Sequence, residues 1–185
     1  MKKICGSIRL SARSLGSIRT IAVCGVLLSL KLVLNLFTIN ISALLKIGLA
    51  YLPIAAAGML FGPVVGGTVG ALGDLLGYFI FPTGPYFPGF TLSAFLSGFV
   101  YGLLLYRGPV KLWRAFTAKA LVTLLVSFLL NPLWLAMMYG KTFWAAVSVR
   151  ALASFSELLP DTVVLYVLLK VIERCCLPQI LRNES

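Results

Sequence analysis

Long apolar stretches constrain this chain more than any other feature of its sequence. Hydrophobic residues make up 60% of its 185 residues, and the mean hydropathy is +1.01. A soluble fold of this size cannot bury so much apolar surface, so the lipid bilayer has to be the solvent for most of the chain. Because about 20 apolar residues are needed to cross the hydrocarbon core as a helix, the chain can cross about six times.

Six apolar stretches, separated by loop signals, predict the fold. They cover residues 18–37, 46–61, 64–81, 90–106, 115–138 and 143–172. We therefore predict an all-α polytopic membrane bundle of six transmembrane helices, which together form one domain at residues 18–172. Residues 1–17 are expected to be a basic cytoplasmic segment, and residues 173–185 a cytoplasmic tail.

Basic residues are distributed unevenly between the two ends of the predicted helices. Eleven lysines and arginines fall on the side of the N-terminus, and only Lys46 and Lys141 fall on the other side. The positive-inside rule makes the first side cytoplasmic, and an even number of helices then places both termini there. The same rule accounts for the net charge of +11. We expect no nucleic-acid partner, since no basic groove with aromatic stacking platforms is apparent.

The second outer loop, residues 82–89, has an unusual composition. It contains three prolines, two glycines and two aromatic residues, and no charge. A flexible linker would be rich in glycine and serine instead. The composition predicts a structured lid or pocket wall packed against the bundle, with an interfacial aromatic belt as the alternative.

Ionisable residues within the predicted helices are candidates for function, because each costs a few kcal/mol in lipid unless it is paired or hydrated. Arg150, Glu157 and Asp161 share one face of the last helix, so this polar stripe is expected to point into the bundle. Arg150 could pair with Glu157 or Asp74, or it could line a cavity. The full set is Lys31, Asp74, Lys119, Arg150, Glu157 and Asp161.

No catalytic or metal site is predicted. The chain has no histidine, which removes the commonest general base and the commonest metal ligand. The sequences before Asp74 and Asp161 do not match the Gly-x-Gly-Asp and Tyr-Asp motifs of intramembrane aspartyl proteases. No phosphate-binding loop or nucleophile elbow is present either. We expect a protein that is not an enzyme and carries no metal.

Small residues give a further signal, because they allow helices to approach closely in lipid. The second and third predicted helices are rich in alanine and glycine, and there we expect packing within the chain. On the first helix, Ala22, Gly25 and Ser29 could serve either packing within the chain or contact with a partner protein.

The sequence at 58–67, continuing through 70–78, 81–84 and 87–94, resembles the folate-specific S component of energy-coupling-factor (ECF) vitamin transporters. Phe-Pro-Thr-Gly at 81–84 and Phe-Pro-Gly-Phe-Thr at 87–91 are the more specific part. The resemblance extends to 131–135 in the fifth helix and to Arg150 and Pro160 in the sixth.

This resemblance implies a multi-pass, substrate-capturing subunit of a bacterial plasma membrane, open to the outside. Family members associate with a transmembrane T component and with two cytoplasmic ATPases, so that ATP is used by the partners and no cofactor is expected in this chain. The T component is contacted through a small-residue face of the first helix. In other members alanines usually stand four apart on this face; the matching positions here are Gly25 and Ser29, or Ala22 with the bulkier Val26.

A folate-like ligand matches the residues available. Its flat pteridine ring favours aromatic stacking and amide hydrogen bonds, and its glutamate tail favours cations. Two alternatives stay open: an S component for another vitamin such as pantothenate, and a membrane assembly protein without a transport role. The predicted ligand-binding residues are Tyr78, Phe87, Phe90 and Trp134 for stacking, Asn131 for the amide, Thr83 and Gly84 in the loop, and Arg150 and Lys141 for the carboxylates.

Overall fold

The computed structural model describes residues 2–37, 39–42, 45–82, 85–106, 108–139 and 143–175. Side chains are described in all of these ranges except at residues 2–5, 39–42, 45–47, 139, 143–157 and 175. In chain order the elements are α1 (Lys2–Ser14), α2 (Ile18–Leu36), β1 (Ile39–Ser42), β2 (Leu45–Ile47), α3 (Tyr51–Phe61), α4 (Pro63–Ile80), α5 (Pro88–Leu105), α6 (Leu112–Val122), a π-helical segment (Thr123–Leu130), α7 (Asn131–Tyr139) and α8 (Phe143–Cys175).

Several of these helices are suited to lipid. Four within the described residues are long and apolar enough to cross a membrane: Ile18–Leu36, Pro63–Ile80, Pro88–Leu105 and Leu112–Met138. Large apolar side chains lie on their outer surfaces, as at Phe79, which is 72% exposed. Such exposure is unfavourable in water and favourable in lipid. The chain is therefore a multi-pass membrane protein.

The predicted all-α architecture is confirmed with one local exception. Strands β1 and β2 pair in antiparallel fashion, with Ile39 opposite Ile47. The second predicted helix, at 46–61, consequently begins only at Tyr51, and the predicted loop that follows the first helix contains a strand. β-Branched residues at 39, 41 and 47 favour an extended backbone. A short apolar run by itself does not distinguish strand from helix.

A break between α3 and α4 is made by Gly62 and Pro63. Gly62 has a φ of +92°, which favours glycine, and Pro63 is the first residue of α4. Gly62 has no side chain that could cap the free N–H groups of α4. The buried hydroxyl of Ser11 from α1 accepts hydrogen bonds from the backbone N–H groups of Val64 and Val65 instead, at 3.1 and 3.2 Å. The predicted basic segment 1–17 thus contains a helix that packs on the bundle.

Helices α4 and α5 cross at very short range. A Cβ atom at Gly98 of α5 would lie 2.0 Å from the backbone oxygen of Gly66, and one at Gly70 would lie 2.3 Å from that of Ala94. Glycine is therefore required where the two backbones meet. The prediction that the small residues of this region pack within the chain is confirmed.

The larger apolar core lies at the end of the bundle where α5 ends. It joins α3, α5, α6 and α8 through fully buried side chains such as Tyr101, Ala118 and Leu165. This packing fixes the C-terminal half of α5. The N-terminal end of α5 lies at the other end of the bundle, where the candidate site is found.

Candidate functional site

Three aromatic side chains meet at the start of α5, and we call them the outer aromatic cluster: Phe87, Phe90 and Trp134. The ring centroids of Phe87 and Trp134 are 5.6 Å apart, and those of Phe87 and Phe90 are 6.2 Å apart in an edge-to-face arrangement. Pro88 begins α5 directly after Phe87, and its fixed φ is suited to the first helical position. The turn into the helix therefore sets the position of the Phe87 ring.

Trp134 of α7 packs against α5, where one hydrogen bond fixes its indole ring and a glycine leaves room for it. Its indole Nε1 donates to Oγ of the buried Ser93 at 3.0 Å. A Cβ atom at Gly89 would lie 2.5 Å from Trp134 Cδ2 and equally close to the Phe87 ring. Any other residue at Gly89 would displace one of the two rings. The cluster is thus fixed by α5 on one side and α7 on the other.

The π-helical segment sets the orientation of α7. Pro132 has no N–H, and its ring crowds the carbonyl of residue 128 in a regular α-helix. The wider π turn relieves this conflict, and the backbone N–H of Asn131 bonds to the carbonyl of Val126, five residues earlier. Wide turns of this kind occur frequently at functional sites. Here the segment lies directly before Asn131 and Trp134.

Asn131 carries a free acceptor. Within the described part of the chain, its side-chain oxygen Oδ1 is buried and has no hydrogen-bond partner. A buried amide oxygen of this kind is normally paired. A ligand N–H group could satisfy it, three residues before Trp134 on the same helix.

A second aromatic pair lies beside the cluster. The rings of Tyr78 and Tyr86 are 5.1 Å apart. The Tyr86 hydroxyl lies 3.0 Å from Oγ1 of Thr91, which donates to Asp74 Oδ2 at 2.9 Å. Asp74 of α4, one of the predicted intramembrane charges, is thereby joined to the segment that precedes α5.

The other described intramembrane charges make contacts within the bundle. Lys119 Nζ lies 2.6 Å from Asp161 Oδ2 and 3.5 Å from the centroid of the Tyr51 ring. Lys31 of α2 is 8% exposed, and its Nζ donates to the backbone oxygen of Gly70 at 3.2 Å. Asp161 of the predicted polar stripe therefore pairs with α6, which sequence reasoning did not identify. The side chains of Arg150 and Glu157 lie outside the described residues.

The predicted site residues fall into three groups. Phe87, Phe90 and Trp134 are brought together, with Asn131 one turn before Trp134, whereas Tyr78 belongs to the neighbouring pair. Thr83, Gly84, Lys141 and the side chain of Arg150 lie outside the described residues, so their roles stay predictions. Sequence reasoning missed Ser93, Thr91 and Tyr86. The only signal for them is their place within or beside the Phe-Pro-Gly-Phe-Thr motif.

The predicted partner-contact residues lie on an exposed face of α2. Ala22, Gly25 and Ser29 are all exposed, and a Cβ atom at Gly25 would meet no other described part of the chain within 4 Å. The Ser29 hydroxyl donates to the Gly25 carbonyl at 3.0 Å, so it is satisfied within its own helix. The opposite face of α2 is buried through Thr20, Cys24 and Lys31.

A family model described as the S component of the ECF-type riboflavin transporter matches residues 15–174. The chain belongs to the ECF-type S components. This confirms the resemblance seen in the sequence. Since the family is one of transporter components, it also confirms that this S component is not an enzyme.

Individual relatives are named for folate. The folate transporter FolT of Clostridium novyi (strain NT) is 35% identical over 148 residues, which cover 80% of this S component and 86% of the relative. The folate transporter FolT of Leuconostoc mesenteroides subsp. mesenteroides is 30% identical over 122 residues, 65% of each chain. A crystal structure of FolT bound with folic acid superposes with a TM-score of 0.77 at 35% identity, covering 82% of this chain and 93% of the other.

Proposed function

We propose that this S component binds folate from the extracellular side of a bacterial plasma membrane and delivers it inward with a T component and two cytoplasmic ATPases. The observation that carries the proposal is the similarity to FolT bound with folic acid, at 35% identity over most of both chains. The site at the start of α5 adds a chemical reason. Its aromatic side chains and the Asn131 amide are brought together by contacts within this chain.

The site offers groups that suit a pteridine ring. Flat aromatic side chains stack on flat heterocycles, and the outer aromatic cluster presents three of them, Phe87, Phe90 and Trp134. The unpaired Oδ1 of Asn131 can accept a hydrogen bond from an N–H group of the heterocycle. Arg150 and Lys141 are the proposed partners of the glutamate carboxylates, for which a guanidinium offers two parallel hydrogen bonds.

Six crossings are proposed for the bundle. Helices α2, α3, α4, α5 and α8 would supply five of them, and residues 112–139 would supply the sixth as one continuous helix. Helix α3 has only 11 residues and is too short to span by itself, so the β1–β2 hairpin would complete that crossing. Both termini would lie in the cytoplasm, with residues 18–172 as the membrane domain, in agreement with the distribution of basic residues.

Energy would come from the partner proteins. The sequence has no phosphate-binding loop, so ATP would be hydrolysed by the two ATPases. The exposed face of α2 formed by Ala22, Gly25 and Ser29 would contact the T component. Small residues on an exposed face let another helix approach closely in lipid.

Another vitamin is the second candidate ligand. The matching family model is named for riboflavin, and pantothenate was the alternative drawn from the sequence. Because one fold supports several ligands, membership of the family does not select among them. The Clostridium novyi relative and the solved FolT structure, which cover 80% and 82% of this chain, both favour folate. Membership of a transporter family also disfavours an assembly protein without a ligand.

Titration of the purified apoprotein in detergent with folate, riboflavin and pantothenate tests the proposal. We expect saturable one-to-one binding of folate and no saturation with the other two. Preferential binding of riboflavin or pantothenate would contradict the folate assignment while keeping the transport role. No binding of any of the three would contradict both.

A further inference from the structure

One stacking residue of the proposed site, Phe87, is held through its neighbour in the chain. On one side, the Phe87 ring packs against the Trp134 ring of α7, with 5.6 Å between the ring centroids. On the other side, Tyr86 bonds through its hydroxyl to Thr91 of α5. The Phe87 side chain therefore holds the backbone at 86–87 against α7, and the Tyr86 side chain holds it against α5.

The hydrogen bonds that join Tyr86, Thr91 and Asp74 run in one direction. An ionised carboxylate only accepts, so Thr91 gives its single hydroxyl proton to Asp74 at 2.9 Å. Thr91 can then only accept from Tyr86, at 3.0 Å. The result is a chain in which Tyr86 donates to Thr91 and Thr91 donates to Asp74, and we call it the Tyr86–Thr91–Asp74 chain. A hydroxyl that donates to a charged acceptor becomes a better acceptor itself.

Asp74 is well placed to anchor this chain. It lies on α4, whose crossing with α5 is fixed by glycine-to-backbone contacts, so its backbone is rigid. The buried ammonium of Lys31 lies close enough to interact electrostatically with Asp74, while bonding to the carbonyl of Gly70, one turn earlier on α4. Gly73 leaves room for the Lys31 side chain, because a Cβ atom at this position would lie 2.4 Å from Lys31 Cδ.

We propose that Thr91 and Asp74 are positioning residues of the ligand site: through Tyr86 they hold Phe87 in place and slow the release of the bound vitamin. The inference rests on the proposed function for the ligand, but the positioning itself is a property of the protein alone. Neither residue needs to touch the ligand. Their effect passes through one peptide unit, from Tyr86 to Phe87.

The test compares isosteric variants in two measurements. Thr91→Val and Tyr86→Phe each remove one hydroxyl of the Tyr86–Thr91–Asp74 chain with little change in shape. Thr91→Ser keeps the hydroxyl at position 91 and removes only the methyl group. Thr68→Val is the matched control, because Thr68 lies on α4 and its hydroxyl donates to the Val65 carbonyl of its own helix, not to the segment before α5. The two readouts are the dissociation rate of folate and the hydrogen exchange of the backbone amides at 86–91 without ligand.

We expect Thr91→Val and Tyr86→Phe each to raise the dissociation rate of folate by about fivefold, which is the effect expected from the loss of one hydrogen bond. Both variants should also speed amide exchange at 86–91. The double variant should be no worse than the more severe single one, because both remove the same link. Thr91→Ser and Thr68→Val should match the wild type. Since Tyr86 is 42% exposed, Tyr86→Phe is expected to fold even if a variant inside the bundle does not.

Two results would overturn the inference. One is that Thr91→Val and Tyr86→Phe match Thr68→Val in amide exchange. The other is that Thr91→Ser behaves like Thr91→Val, which would assign the effect to packing and not to the hydroxyl. If the wild type does not bind folate, the proposed function fails, and the amide exchange still decides whether the chain positions residues 86–87.

Discussion

The Lys119–Asp161 ion pair lies inside the helix bundle, with side chains that are only 12% and 19% exposed. Lys119 also lies over the Tyr51 ring, and the Tyr51 hydroxyl donates to the backbone oxygen of Asp161 at 3.0 Å. Three helices, α3, α6 and α8, therefore meet at one charged contact. Because Asp161 already neutralises Lys119, we do not propose this lysine as a partner of the ligand's carboxylates.

Replacing one member of the Lys119–Asp161 pair should destabilise the protein more than replacing both. Lys119→Met or Asp161→Asn leaves a buried charge without its partner, and we expect each to destabilise the protein by about 3–5 kcal/mol. The double variant should lose less. Thermal unfolding in detergent measures the difference. Single variants as stable as the double one would show that the pair is hydrated and energetically unimportant.

Arg150 is the residue proposed to bind a carboxylate of the ligand. Arg150→Ala should weaken folate binding by about 2–5 kcal/mol, the usual effect of truncating one partner of a buried charge pair. Arg174→Ala is the matched control, because Arg174 is an exposed arginine in the last turn of the same helix. Equal folate affinity in the two folded variants would remove Arg150 from the site.

At the scale of the elements, helix α1 is joined to the bundle by serines. Ser11 caps α4, as described above, and Ser14 donates to the Ser11 carbonyl at 2.7 Å within α1. The cap compensates for the Gly-Pro break, which by itself leaves the first N–H groups of α4 without acceptors. Helix α1 therefore stabilises the start of α4 although it lies outside the predicted membrane domain.

Ser11→Ala should lower the free energy of unfolding by about 1 kcal/mol, the usual cost of losing an N-cap. Ser17→Ala is the control, since Ser17 stands at the start of α2 but makes no side-chain cap hydrogen bond. Unfolding in detergent by heat or denaturant provides the comparison. If both variants unfold like the wild type, the contact of α1 with α4 contributes nothing to stability.

The sequence predicts some of these elements and not others. The helices follow from apolar runs, and the meeting of Phe87, Phe90 and Trp134 was expected from a motif resemblance. The Ser11 cap could not be predicted, because its partners lie more than 50 residues away in the chain. The β1–β2 hairpin was missed because residues 38–45 were assigned to an outer loop and residues 46–47 to the start of the second helix. Strands this short, with apolar and polar residues mixed, give no clear sequence signal. The wide turn before Pro132 is indicated by the proline, but its π geometry depends on packing around α7.

For the whole molecule, α2 has two faces with different environments. Its buried face contacts the bundle through residues such as Lys31, and the exposed face carries Ala22, Gly25 and Ser29. Among the residues that the structure describes, none would lie within 4 Å of a Cβ atom at Gly25, so a larger side chain there is compatible with the fold. A bulky residue would nevertheless keep a partner helix at a distance.

Gly25→Leu should therefore leave folate binding unchanged and lower uptake in cells that supply the partner proteins by about tenfold or more, equivalent to at least ~1.4 kcal/mol of lost association. Val163→Leu is the control, as it adds volume on an exposed position of α8. Equal loss of binding and uptake in Gly25→Leu would indicate misfolding. Normal uptake would place the T-component contact elsewhere.

Energy transfer from single tryptophans tests whether folate is held at the start of α5, beside Trp134. One protein keeps only Trp134 (W113F/W144F) and the other keeps only Trp113 (W134F/W144F). The two positions are 21 residues apart on one long helix, hence about 30 Å. Bound pteridine absorbs in the near ultraviolet, where tryptophan emits. We predict strong, saturable quenching of Trp134 by folate and weak quenching of Trp113 at the same saturation. Equal quenching of both tryptophans, or none at Trp134, would contradict a folate site beside Trp134.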